Sequence, residues 1–155
     1  MPQHFRMGER SYNQQQPEWM KESLRASGLG DAEMPLFVIG EEESWDTPAA
    51  FVLEMPPNYV LFRHAHPCNR FEVVIKGSLD LGDGRVAGPG DVMVAEPHEM
   101  YGPHTAGPDG CTTLEVFSRA EGVFRVISDT PDGPRETDVR KGELPPGYED
   151  LTPDG

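Results

Sequence analysis

The run Phe62-Arg63-His64-Ala65-His66-Pro67-Cys68-Asn69-Arg70-Phe71-Glu72-Val73-Val74-Ile75-Lys76-Gly77 decides how this chain is read. Its second half is rich in β-branched and aromatic residues and stops at a glycine, which predicts a strand over Phe71 to Lys76. Its first half holds two histidines separated by one residue. Side chains two apart on an extended segment point the same way, so His64 and His66 would aim both imidazoles into one space. About forty residues on, His104 follows in a Gly/Pro-rich setting and would close a facial set of ligands, leaving open positions on a metal for substrate or oxygen.

Working outward, 155 residues suit one domain, and the abundance of Gly and Pro (17 and 16 residues) favours short strands joined by turns over long helices. The expected class is mainly β. A formal net charge of −14 without clusters of Lys or Arg argues against nucleic acid and against an anionic membrane surface. No apolar run approaches the roughly 20 residues that span a bilayer, and Met1 to Arg10 lacks the apolar stretch of a secretory signal, so a cytoplasmic protein is the expectation. Cys68 and Cys111 form neither a metal-ligand pair nor a redox CxxC spacing and read as reduced thiols.

Residues 1–16 are polar and Gln-rich and read as an arm. A short helix is expected from Pro17 to Ser27, with Pro at its first position, Trp19, Met20 and Leu24 on one face and Gly28 after its end. Brief β-rich runs follow: Leu36 to Ile39, Ala50 to Glu54, Asn58 to His64, Phe71 to Lys76, Ser78 to Leu81, Arg85 to Ala87, Asp91 to Ala95, Thr112 to Ser118 and Val123 to Ser128. Gly82-Asp83-Gly84 signals a hairpin. From Asp129 on, only Leu144, Tyr148 and Leu151 offer sizeable apolar anchors, so the end reads as a wrapping tail or a disordered extension. The expected organisation is an arm and helix over 1–30, a barrel over 31–128 and an extension over 129–155.

His64-Ala65-His66-Pro67 leading to Phe71 through Gly77, then Gly88-Pro89-Gly90-Asp91 and Pro103-His104, resembles the two sequence motifs of the cupin superfamily over roughly a third of the chain. The resemblance implies a jelly-roll β-barrel with a metal held inside and, by the habit of such barrels, a homodimer. In that pattern a metal-binding Glu precedes the strand-closing Gly with six residues between them. Here Arg70 stands in that place, and Glu72 shares its face two residues on. A three-histidine site without the Glu resembles that of acetylacetone-cleaving dioxygenases, which implies Fe(II), although imidazole ligands also accept Zn, Ni or Cu. It also implies a small chelating, anionic or enolisable substrate that reacts with oxygen.

On this reading the metal ligands are His64, His66 and His104. His104 is preferred over His98 because it follows Pro103 where the motif places its histidine, while His98 falls in the preceding turn. Arg70, Glu72 and Glu115 are candidates for contacting substrate or supporting the ligands, with an Arg70–Glu72 ion pair the plainer alternative. Phe62, Phe71, Tyr101 and Phe117 are candidates for the apolar surround. Two other functions use the same residues: a barrel that binds a small molecule as sensor or carrier, and a metal-dependent isomerase or lyase with Glu72 or Glu115 as base. His4 alone carries no ligand signal, and Glu41-Glu42-Glu43 reads as a solvated loop.

Overall fold

The computed structural model describes residues 2–26, 32–41 and 44–146. Ser27, Gly28, Glu42, Glu43, Tyr148 and Leu151, invoked above, lie outside the described residues. After a single helical turn, α1 (Arg10–Asn13), the helix expected after Pro17 forms as α2 (Glu18–Ala26) and buries Met20 and Leu24. The rest is strand: β1 (Leu36–Val38), β2 (Ala49–Met55), β3 (Val60–Leu61), β4 (Arg70–Asp80), β5 (Val86–Ala87), β6 (Val92–Ala95) and β7 (His104–Phe117) in one antiparallel sheet, then β8 (Arg125–Thr130) and β9 (Gly133–Asp138) as a hairpin.

Two long strands close the barrel. The C-terminal half of β7 lies between β2 and the start of β4, while its N-terminal half pairs with β3 and with the end of β4. The two runs expected at Phe71–Lys76 and Ser78–Leu81 are therefore one strand. Gly77 does not end it but bends it, between register shifts at Val74/Lys76 and Gly77/Leu79. Gly77 has φ +80°, and a Cβ there would overlap the carbonyl oxygen of Gly110 on β7, so only glycine lets the strands cross this closely.

Three other expectations change. Only Val60 and Leu61 of the run Asn58–His64 join the ladder; His64 and Ala65 then make single bridges to Tyr101 and Ile127. The start of the expected strand Val123–Ser128 is instead a helical turn, α3 (Glu121–Phe124), in which the neighbours Val123 and Phe124 are both buried, as strand alternation would not allow. The boundary drawn at 128 falls inside β8, and part of the expected tail forms β9 and a 3-10 turn (Val139–Lys141) that buries Val139. Phe124 is 1% exposed and packs edge-on against Trp19 and Trp45 with the Arg140 guanidinium over its ring, which ties this segment to α2 and the barrel.

Register sets what the barrel contains. On the inner face, Glu72 of β4 lies directly opposite Glu115 of β7, and Arg70 lies opposite Phe117 one row away. On the outer face the same strands carry two cross-strand rows, Ala50–Val116–Phe71–Val94 and Val52–Leu114–Val73–Val92, with no charged residue in either. Phe71 is 40% exposed on this outer side, which corrects its assignment to the inner surround.

Candidate metal centre

The segment carrying the histidine pair is extended and stitched on both sides. His64 exchanges backbone hydrogen bonds with Tyr101 (3.0 Å each way), and Ala65 exchanges them with Ile127 (2.8 and 2.9 Å). Alternate residues therefore point inward, and both imidazoles are buried with ring centroids 5.0 Å apart. Each ring is fixed by a carbonyl. Nδ1 of His64 lies 2.7 Å from the Phe62 carbonyl, and Nδ1 of His66 lies 2.6 Å from Gly122 and 3.0 Å from Arg125. A ring donating from Nδ1 keeps its lone pair on Nε2, the arrangement a metal-ligating histidine adopts.

His104 opens β7 opposite Leu61 and is 4% exposed, with Nδ1 lacking any hydrogen-bond partner. The three imidazoles do not converge, because Tyr101 stands among them. Its ring centroid lies 4.6 Å from that of His64, 5.5 Å from His104 and 6.3 Å from His66, and its hydroxyl donates to His64 Nε2 at 2.9 Å. Tyr101 thereby divides the interior. On one side a cavity of about 70 Å³ is lined by His64, His66, Tyr101, Glu115 and apolar side chains; on the other a wider basin of about 470 Å³ is lined by Arg70, Tyr101 and His104. His98 is exposed on a turn with φ +67°.

Burial pushes the pKa of His64 well below its usual value, helped by His66, Arg70 and His104, and that of His66 down to about 4, helped by Arg70; that of His104 also falls, mainly through burial. All three rings are neutral at neutral pH, so the donor chemistry suits a divalent metal. Their placement does not: among the described residues no group of three His, Cys, Asp or Glu side chains is positioned to hold one ion. The fourth position of the motif holds a cation already.

Arg70 is 3% exposed and donates from Nε to Glu115 Oε1 at 2.7 Å. Its Nη2 lies 2.8 Å from Glu72 Oε1, an ion pair without hydrogen-bond alignment, and also pairs with Glu115. The guanidinium carbon sits 3.9 Å from the centre of the Tyr101 ring. Burial opposes the Arg70 charge, but Tyr101, Glu115 and Glu72 outweigh it and hold the group firmly protonated. Burial, with Glu72 alongside, pushes Glu115 up to about 8 despite Arg70, so at neutral pH Glu115 is largely a neutral carboxyl. Arg70 is thus flanked by carboxyl groups from both strands, Glu115 on its Nε and Glu72 beside its Nη2.

Sequence reading proposed Tyr101 only as apolar lining and missed it as the partition; only the bridge that sets Tyr101 against His64 reveals this. It also missed that the flanking segments form walls of the smaller cavity, through Met20 and Leu24 of α2 and through Val126 and Val139.

No protein-family model matches this sequence and no curated protein matches it significantly. Among solved structures the chain is similar to an acetylacetone dioxygenase from Acinetobacter johnsonii (12% identity, TM-score 0.52, covering 72% of this chain and 73% of that one). It is likewise similar to a putative acetylacetone dioxygenase from Methylibium petroleiphilum PM1 (14%, TM-score 0.51, 72% and 77%) and to an RmlC-like cupin from Ralstonia eutropha JMP134 (14%, TM-score 0.50, 72% and 69%). The sequence motifs and these likenesses agree: the chain has the cupin fold, a jelly-roll barrel of antiparallel strands. At such identities the likeness carries the fold and nothing of the chemistry.

Proposed function

We propose that the protein binds a small, largely apolar, enolisable carbonyl compound inside its barrel. The carrying observation is the smaller cavity, whose apolar walls end on His64, His66, Tyr101 and Glu115. Its volume of about 70 Å³ is several times the roughly 10–15 Å³ that one water needs. The polar end offers complementary partners for two neighbouring oxygens. His66, with Nδ1 committed to backbone carbonyls, presents Nε2 as an acceptor for an enol or hydroxyl proton. Glu115 lies at the same end, its Oε1 held by Arg70 and its proton shared with Glu72. The Tyr101 hydroxyl, spent as donor on His64, accepts a further bond.

A thermal-shift panel of β-diketones, hydroxyketones, carboxylates and sugar phosphates tests this reading. A ligand at a hundred times its Kd adds about 2.7 kcal/mol, or roughly 5–10 °C in a chain of this size. Stabilisation by the neutral enolisable compounds, with the ligand recovered unchanged by mass spectrometry and the effect lost in Val123→Phe, which fills the cavity, is the expected result. Stabilisation by phosphates or carboxylates alone, or by nothing in the panel, would overturn it.

A second reading, a non-haem Fe(II)-dependent dioxygenase acting on the same class of compound, is favoured by one observation: the carbonyls that pin Nδ1 of His64 and His66 leave both Nε2 atoms for a metal. It requires Tyr101 to leave His64 and His104 to join the pair. Anaerobic loading with Fe(II) followed by oxygen uptake on the diketones tests it. Uptake that depends on His64, His66 and His104 would establish it, and unchanged ligand with no uptake would reject it.

A further inference from the structure

We infer that the compound bound in the smaller cavity carries an uncharged alkyl chain, which leaves the barrel between α2 and the turn Val139–Lys141 and lies in a groove outside them. The inference deepens the ligand reading above and rests on it.

Helical spacing divides α2 into two working faces. Met20 and Leu24, four residues apart, line the cavity, while Trp19, Glu22 and Ala26 fall on the adjoining face and line a groove of about 130 Å³. Ser23 stands on the border between the two faces. Across from it, the 3-10 turn contributes Val139, and the chain just beyond contributes Gly142 and Leu144 to the groove. Ser23 and Val139 line the cavity and the groove alike, so a chain running from one to the other passes between these two side chains.

Size and chemistry select the occupant. At about 70 Å³ the cavity holds only about five to seven water-sized atoms, a dicarbonyl head and little more. The groove adds close to twice that volume. Its floor is apolar, through Trp19, Ala26, Val139 and Leu144, and Leu144 is 41% exposed, so a chain lying there would cover a large apolar side chain that the fold leaves open to water. Charge excludes an anionic tail. Among the described residues the one cation lining the groove, Arg140, is engaged by Asp138 and by the Phe124 ring, whereas the carboxylates of Glu22 and Glu143 line it as well. An uncharged hydrocarbon chain meets both conditions, with its carbonyl head at His66 and Tyr101 and its tail along α2.

Titration calorimetry on the full chain, with acetylacetone and straight-chain homologues carrying up to about eight added methylenes, tests the inference. Burying a methylene multiplies affinity about three- to fourfold, so affinity is expected to climb by about that factor per carbon and to level off once the groove is filled. Ser23→Phe closes the passage, and Leu144→Asp puts a charge in the groove at a position exposed enough to accept it. Each is expected to weaken the longest homologue at least tenfold more than acetylacetone. Equal affinity along the series, or a climb that either variant retains in full, would overturn the tail and leave the ligand reading standing. Binding of no member would overturn the ligand reading and the tail with it.

Discussion

Replacing Arg70 with Met is the sharpest test of what holds this barrel interior together. The guanidinium is 3% exposed and contacts Glu115 at 2.7 Å and Glu72 at 2.8 Å, two carboxyl groups that register places directly opposite each other on β4 and β7. Removing one partner of a buried ion pair strands the other without water, at a cost of about 3–5 kcal/mol. For a chain of this length that is a fall of roughly 6–20 °C in Tm. The loss depends on pH with a definite sign. Glu115 already titrates near 8 in the folded protein against 4.5 as a free side chain, and without Arg70 its folded value rises further. Wild type and variant both hold that proton up to about pH 7, so the deficit is level below that and grows above pH 8, where the wild type releases the proton and the variant keeps it. Urea titrations followed by circular dichroism at pH 6 and pH 9 measure both. Removing both carboxylates too, in Arg70→Met with Glu72→Leu and Glu115→Leu, should recover most of the loss, since apolar replacement of a whole buried ionic cluster is commonly neutral or better. A deficit below about 1 kcal/mol for Arg70→Met at pH 7, or one equal at pH 6 and pH 9, would refute the account.

Four further outcomes follow from the same barrel. The folded pKa of Glu115 is raised, so its contribution to stability falls by about 2 kcal/mol as pH rises from about 6.5 to 8, at about 1.4 kcal/mol per unit; Glu115→Gln should abolish that decline in urea titrations. The histidine values are depressed, His66 to about 4, so stability is also lost as pH falls below 6.5 towards 4, and a wild type without a maximum near pH 6–7 would contradict both. Tyr101→Phe removes the donor on His64 Nε2 and should allow Ni(II) or Zn(II) to raise Tm above any effect on the wild type; an identical metal response in both would show that the hydroxyl does not occupy that donor. Gly77→Ala forces a side chain into φ +80° and against the Gly110 carbonyl and should cost more than about 2 kcal/mol by denaturant melt, with a loss under 0.5 kcal/mol contradicting the close crossing of β4 and β7.

Much of this protein is legible in its sequence because strand parity and turn chemistry are local. Arg70 and Glu72 share the inner face as their spacing requires, the histidine pair points inward, and α2 starts after Pro17. Parity erred where the chain stops being a simple strand. Phe71, adjacent to Arg70, cannot share its face, and Val123 and Phe124 both reach the core only because the chain makes a helical turn there. Gly77 read as a terminator because a lone sequence does not show a second strand passing over it.

The sequence by itself determined which side chains are available to the barrel: two imidazoles on one face of an extended segment, a third some forty residues away, and an arginine where a carboxylate ligand would stand. Whether they meet was decided by tertiary structure alone. Tyr101 is 37 residues from His64, and no local rule relates them; the bridge between the two segments sets that ring among the histidines and splits the interior in two. The Arg70 cluster was likewise completed in three dimensions. Arg70 and Glu72 are neighbours in the chain, but the arrival of Glu115 beside them depends on β7 lying beside β4 in the register that sets it opposite Glu72, because contacts follow distance in the fold rather than position along the chain.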